Sequence, residues 1–326
     1  MLKKVLVISL YVVFIAAACG SVSAGELPKF DISICGGSIG GAWAAIGEGV
    51  GEVIRRSYPG SNTAYEVGQE AANVVLVSTG RVKLGVGHSQ TLKLAMDGIE
   101  AFTGRKMENL RGICVLYGDA VEQFFVKSDT GITSFEDIKN KKYPLKVNFN
   151  TKDSFMELIG KKTLEAYGVT YENLIEWGGS VDFMAMNPSL DLMRDGRLEA
   201  YMNLIQIPSS QVVDLATNMK LTMLPVSKEV QDKINSEYGT YSSVIPKDAY
   251  SFLTEDVPTV AASLILFASD ELPDEEAYAV VKSVYDNFDY FKSIHSSLQD
   301  LSFEDLSNTF PAPLHPGAKK FYDEHK

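Results

Sequence analysis

Phe30-Asp31-Ile32-Ser33-Ile34-Cys35-Gly36-Gly37-Ser38-Ile39-Gly40-Gly41-Ala42-Trp43 decides the fold class. Its first six residues have the short, apolar-rich pattern of a strand, and its glycines then release the chain into a helical run through Ile46, Val50, Val53 and Ile54, ended by Tyr58-Pro59-Gly60. The same unit follows twice more. A strand is expected at 63–67 and a helix at 69–79 closed by Gly80, then a strand at 82–86 and a helix through Leu92, Leu94 and Ala95. Repeated strand–helix–strand units of this spacing predict an α/β fold with a parallel sheet covered by helices on both faces.

An extended apolar stretch, Val121 to Val126, breaks the rhythm. A new α/β unit starts after it, with a helix start at Thr133-Ser134-Phe135-Glu136-Asp137-Ile138, a strand at 145–149 and a helix at 155–167. Further strand–helix pairs follow, clearest at 199–204 and 208–217. A second extended stretch, Val257 to Phe267, leads into an acidic-started helix at 273–288, where Asp274, Glu275 and Glu276 suit the positive end of the helix dipole. Two α/β units joined by two extended strands predict two hinged lobes. The first is expected to comprise 25–125 and 267–326 and the second 126–266, with a ligand held between them at the carboxyl ends of the strands.

The composition bounds the function. A chain of 326 residues that is 45% hydrophobic and 22% charged has room for two such units and is neither disordered nor collagen-like. Its net charge of −12 becomes −14 when Lys3 and Lys4 of the first 24 residues are set aside. No basic stripe offsets that charge, so nucleic-acid binding is not expected. The four histidines have no cysteines or paired carboxylates nearby, and no metal or cofactor is expected.

Met1 to Ala24 has the layout of an export signal: two lysines, an apolar run from Val5 to Ala18, then small residues. Cleavage after Ala24 and a periplasmic location are expected. Ala17-Ala18-Cys19-Gly20 offers the alternative of a lipid anchor through Cys19. Cys35 and Cys114 lie on β-like apolar stretches without Cys-x-x-Cys spacing and are expected as two buried free thiols.

Candidate binding residues gather at the strand-to-helix turns. In the first turn, Ser38, Gly40, Gly41 and Trp43 combine close backbone approach with the unpaired N–H groups of a helix start, which attract an anion. Gln69 and Asn73 follow the second strand, and His88 and Ser89 the third. Asn150, Thr151, Lys152 and Ser154 occupy the corresponding turn of the second unit, and Asn203 and Gln206 end a fourth strand. The first turn also satisfies G-x-S-x-G, so a secreted serine hydrolase using Ser38 with His295, His315 or His325 is the alternative from another class.

The whole mature chain resembles the TAXI family of solute receptors of tripartite ATP-independent periplasmic (TRAP) transporters. The likeness is carried by the first turn, by Gly80 to Val86, by Lys127 to Lys139, by Leu192-Met193-Arg194-Asp195-Gly196-Arg197-Leu198-Glu199-Ala200, by Asp256 to Val260, and above all by Pro311-Ala312-Pro313-Leu314-His315-Pro316-Gly317-Ala318-Lys319-Lys320-Phe321-Tyr322. The resemblance implies the type II periplasmic-binding-protein fold. It also implies a non-enzymatic receptor that captures a small organic acid or amino acid of the glutamate, glutamine or 2-oxoglutarate kind and hands it to TRAP membrane permease subunits. The receptor is expected to be a monomer, and His315 to be structural. Two positions depart from the family pattern: Ala42-Trp43 stands where Thr-Tyr-Tyr is usual, and Asn150-Thr151-Lys152-Asp153 stands where Gly-Ser-Gly-Thr is usual. Lys152 introduces a cation that is expected to meet a carboxylate.

Overall fold

The computed structural model describes residues 27–325, so the export signal, its cleavage site and Cys19 lie outside the described residues. β1 (Asp31–Gly36) runs through the glycine turn into α1 (Ala42–Ser57), followed by β2 (Asn62–Val67), α2 (Glu70–Ser78), β3 (Leu84–His88) and α3 (Ser89–Asp97). β1 pairs in parallel with both β2 and β3, as the repeating pattern predicts. α1 sits on this sheet because Ile46, Val50, Val53 and Ile54 share one face and are buried. Each such side chain contributes about 1.5–3 kcal/mol on burial.

β4 (Leu110–Lys127) is one strand of 18 residues, where the sequence suggests a β-like stretch around Cys114 and a separate extended stretch from Val121. It continues because its backbone partners change along its length. Residues 110–121 pair with β10 (Val257–Ser269), and residues 121–126 pair with a strand of the second unit. Between β4 and β10 come α4 (Phe135–Asn140), β5 (Lys146–Asn148), α5 (Phe155–Ala166), α6 (Tyr171–Glu176), β6 (Ser180–Asp182) and α7 (Met186–Arg194). β7 (Ala200–Ile205), α8 (Ser210–Asn218), β8 (Leu221–Met223), α9 (Lys228–Tyr238) and β9 (Tyr241–Ile245) complete that unit. After β10 the chain closes with α10 (Asp274–Asp286), α11 (Phe288–Ser293) and α12 (Pro316–Glu324) against the first unit.

The strands form one sheet in the order β2-β1-β3-β10-β4-β7-β5-β6, with β8 on β4 and β9 on β10. β10 changes partners as β4 does: residues 264–268 pair with β3, and residues 257–261 with β9. Two antiparallel strands thus carry the chain between two lobes, each a helix-covered α/β unit. The larger apolar core runs through both lobes, and a smaller one around Phe125, Tyr201 and Leu215 lies in the second. Cys35 and Cys114 are free and buried, and burial pushes both thiols up to about 12. His315 is buried and structural: its Nδ1 accepts from the Gly317 N–H and so caps α12.

Candidate functional site

A cavity of about 330 Å³ lies between the lobes. Its first-lobe wall is made by Gly37 to Ile39, by Gly41 to Trp43, by Gly68 to Glu70 and by Tyr117. Its second-lobe wall is made by Asn150, Thr151 and Met156, by Ala185 to Pro188, by Asn203 to Gln206, and by Ser209 and Gln211.

Four helices begin on this cavity: α1 and α2 from the first lobe, α7 and α8 from the second. Their N-cap residues Gly41, Gln69, Ala185 and Ser209 make no side-chain capping bond, and all four line the cavity. Elsewhere α3, α10 and α11 also lack a side-chain cap, whereas the remaining helices have one. Ser134, Ser154, Thr170 and Ser227 accept from the N–H groups of α4, α5, α6 and α9. Uncapped first turns leave N–H donors and the positive dipole end free, so the cavity collects four of them without a basic side chain. No Lys, Arg or His belongs to its lining among the described residues.

Close backbone approach shapes the first-lobe turn. Gly40 has φ +83, which an L side chain rarely adopts. At Gly68 an added Cβ would stand 1.9 Å from Asn73 Oδ1, so only glycine fits there. In the second lobe, Asn150 holds a left-handed backbone with φ 67, a conformation asparagine tolerates. Its side-chain amide donates to Tyr201 Oη and to Asn203 Oδ1, both at 2.9 Å, which fixes the β5–α5 turn to the end of β7.

The floor is a buried carboxylate. Glu70 Oε1 accepts from the His88 backbone N–H at 2.8 Å, from Thr91 Oγ1 at 2.8 Å, and lies 2.9 Å from His88 Nδ1. Glu70 Oε2 accepts from the Phe155 N–H, the first residue of α5 in the other lobe, at 2.9 Å. Burial alone would raise the Glu70 pKa, but His88 and the backbone donors outweigh it and hold the carboxyl below its ordinary value. Trp43 packs edge-on against His88, with ring centroids 5.4 Å apart, and Phe155 lies the same distance from the imidazole. Burial keeps the Tyr117 phenol protonated at any ordinary pH, with Glu70 adding to the shift and Trp43 opposing it.

Residues 34–325 match the family model described as the NMT1-like family. The chain belongs to the NMT1-like family. Solved structures agree on the architecture. MatC from Rhodopseudomonas palustris with bound malate superposes with a TM-score of 0.54 at 13% identity, covering 91% of this chain and 97% of that one. A periplasmic transporter protein gives 0.53 at 13%, covering 91% and 93%. A binding protein component of an ABC phosphonate transporter from Pseudomonas aeruginosa gives 0.50 at 11%, covering 83% and 80%. Likeness at this identity carries the fold, which is the two-lobe fold of periplasmic binding proteins, and not the ligand.

In this NMT1-like protein the expected residues Ser38, Gly41, Trp43, Gln69, Asn150, Thr151, Asn203 and Gln206 come together on the cavity wall. The structure places the other six elsewhere. Gly40 is exposed in the turn and does not line the cavity. Asn73 is buried and donates from Nδ2 to the Gly36 carbonyl, bracing the first turn. His88 is 0% exposed beneath Trp43, where it holds Glu70. Ser89 donates to the Phe310 carbonyl. Ser154 caps α5, and Lys152 opens on a separate groove beside Phe183, with its Nζ 6.0 Å from that ring. A strand end predicts a rim position but not which way the side chain turns, and these six turn into the core or outward.

Glu70, Tyr117, Met156, Met186, Asn187 and Gln211 line the site without having been singled out from the sequence. Glu70 stands between the expected Gln69 and Asn73, but an acidic first-turn residue reads as a dipole complement. Among the described residues no histidine bonds Ser38 Oγ. His295, His315 and His325 are engaged with Ser297, Gly317 and Phe321, so nothing here assembles the hydrolase triad.

Proposed function

We propose that this protein is an extracytoplasmic solute receptor that captures a small organic acid or amino acid by closing its two lobes, and passes it to a membrane permease of the TRAP type. One observation carries the reading: four uncapped helix N-termini, two from each lobe, converge on one cavity. Such a site holds a carboxylate by backbone N–H groups and dipoles, and only lobe closure completes it. Side chains from Ser38, Trp43, Gln69, Asn150, Thr151, Asn203 and Gln206 then orient the solute. Binding, not bond chemistry, is what this set of groups supports. The moving units are 25–125 with 267–326, and 126–266. The TAXI-like motifs along the chain favour a permease driven by an ion gradient.

The test is thermal unfolding of the purified protein against a panel of organic acids and amino acids. A ligand at 100 times its Kd stabilises by about 2.7 kcal/mol, which moves the transition visibly. Stabilisation by at least one acid without turnover is expected. Stoichiometric labelling of Ser38 by an activated-serine probe would overturn the receptor reading. Uptake in vesicles carrying the permease, abolished by dissipating the ion gradient and indifferent to ATP, is the outcome that supports the TRAP assignment.

A further inference from the structure

Resting on that receptor reading, we infer that the solute is a monocarboxylate with a branched or aromatic apolar body, and that Trp43 and Met186 select it. The walls of the cavity differ in kind. The N–H groups of the α1 first turn share their end of the cavity with the Trp43 indole, which belongs to that same turn. Across the cleft, Met156 and Met186 present thioethers, with Leu204 and Ile205 beside them. Thioethers are polarisable and adapt to an irregular apolar shape or a ring edge. Asn203 Nδ2 reaches Met186 Sδ at 3.7 Å and holds the sulfur in the wall.

A second carboxylate is disfavoured on the facing wall, where the starts of α7 and α8 stand among Met186, Leu204 and Ile205 with no cation beside them. Against the apolar wall it would be desolvated without a cation, which costs several kcal/mol. The remaining helix start near the site, that of α5, already holds an anion: Glu70 Oε2 takes the Phe155 N–H at 2.9 Å. Glu70 is also the only carboxylate on the wall, and its partner His88 at most cancels that charge. Lys152, the cation expected at the site from the sequence, is outside the cavity.

The experiment is calorimetric titration of the full chain, stripped of carried-over solute by denaturation and refolding. The probes are phenylpyruvate, 4-methyl-2-oxopentanoate, pyruvate, 2-oxoglutarate and glutamate, with phenylacetamide as an uncharged ring. Phenylpyruvate or 4-methyl-2-oxopentanoate is expected to bind at least tenfold tighter than 2-oxoglutarate or glutamate. Trp43→Ala is expected to cost the apolar acids at least tenfold and pyruvate less than threefold. Met186→Gln reads the facing wall independently and should give the same split even if Trp43→Ala fails to fold. Tighter binding of 2-oxoglutarate or glutamate than of the apolar acids overturns this inference and leaves the receptor reading standing. Equal binding of phenylacetamide and phenylpyruvate overturns the carboxylate requirement. Binding of none of the probes, with no small molecule recovered from the protein as purified, overturns both readings.

Discussion

Two buried carboxylates, one on the cleft floor and one on the connecting strand β4, meet opposite fates. Glu70, on the cleft floor of the first lobe, is surrounded by donors from His88, Thr91 and Phe155 and is held below its ordinary pKa. Glu122, on β4 where that strand enters the second lobe, has only Thr163 Oγ1 donating to its Oε2 at 3.0 Å, and its Oε1 finds no partner. Burial therefore wins there and pushes its pKa up to about 8. Equal burial does not decide the charge of a carboxyl; the count of donors facing it does. The donors of Glu70 come from both α/β units. Glu122 has a single donor, Thr163 on α5.

The largest expected effect comes from removing the better-served carboxylate. Glu70→Ala strands the His88, Thr91 and Phe155 donors and is expected to lower unfolding free energy by about 3–5 kcal/mol in urea denaturation at pH 7. A loss under about 1 kcal/mol would break the contrast, because it would mean those donors find other partners.

Glu122→Gln is expected to act with the opposite sign and with a pH dependence. The folded pKa of Glu122 lies above its ordinary value of 4.5, so its contribution is favourable in full below that value and is lost as pH rises toward about 8. The wild type and Glu122→Gln should match near pH 4, and the variant should be more stable by a few kcal/mol near pH 8.5, the ceiling being about 1.4 kcal/mol per pH unit. Denaturation midpoints at the two pH values measure this. Parallel pH profiles would remove Glu122 as the cause.

The smallest effect is expected at Lys152, a charge near the cleft but outside it. Lys152→Ala should leave the affinity for the best carboxylate within twofold by calorimetry, and a tenfold loss would bring Lys152 back into the site.

Much of the architecture was legible along the chain because periodicity is local. The glycine turn after β1, the strand–helix alternation to α3, the helix start at Ser134 and the acidic start of α10 all follow from side chains within a few residues of one another. The cleft was legible in part. Asn150 and Asn203 stand 53 positions apart in sequence, yet each was marked by its place at a strand end, and they bond one another. Met156 and Met186 were not marked, since a methionine at helical spacing reads as core and only the cavity shows which face it lines. His88 was marked for the right turn and the wrong direction.

The sequence by itself determined the α/β class, the hinged pair of strands and the turns that bear the site, because hydrophobic period, glycine and proline act over short range. Only the tertiary structure decided which side chains face the cavity, that Glu70 of one lobe occupies the α5 N-terminus of the other, and that Lys152 stays out. Those outcomes depend on how two separately coded lobes meet. Desolvation and donor count, which set the charge of Glu70 and Glu122, exist only once that meeting has taken place.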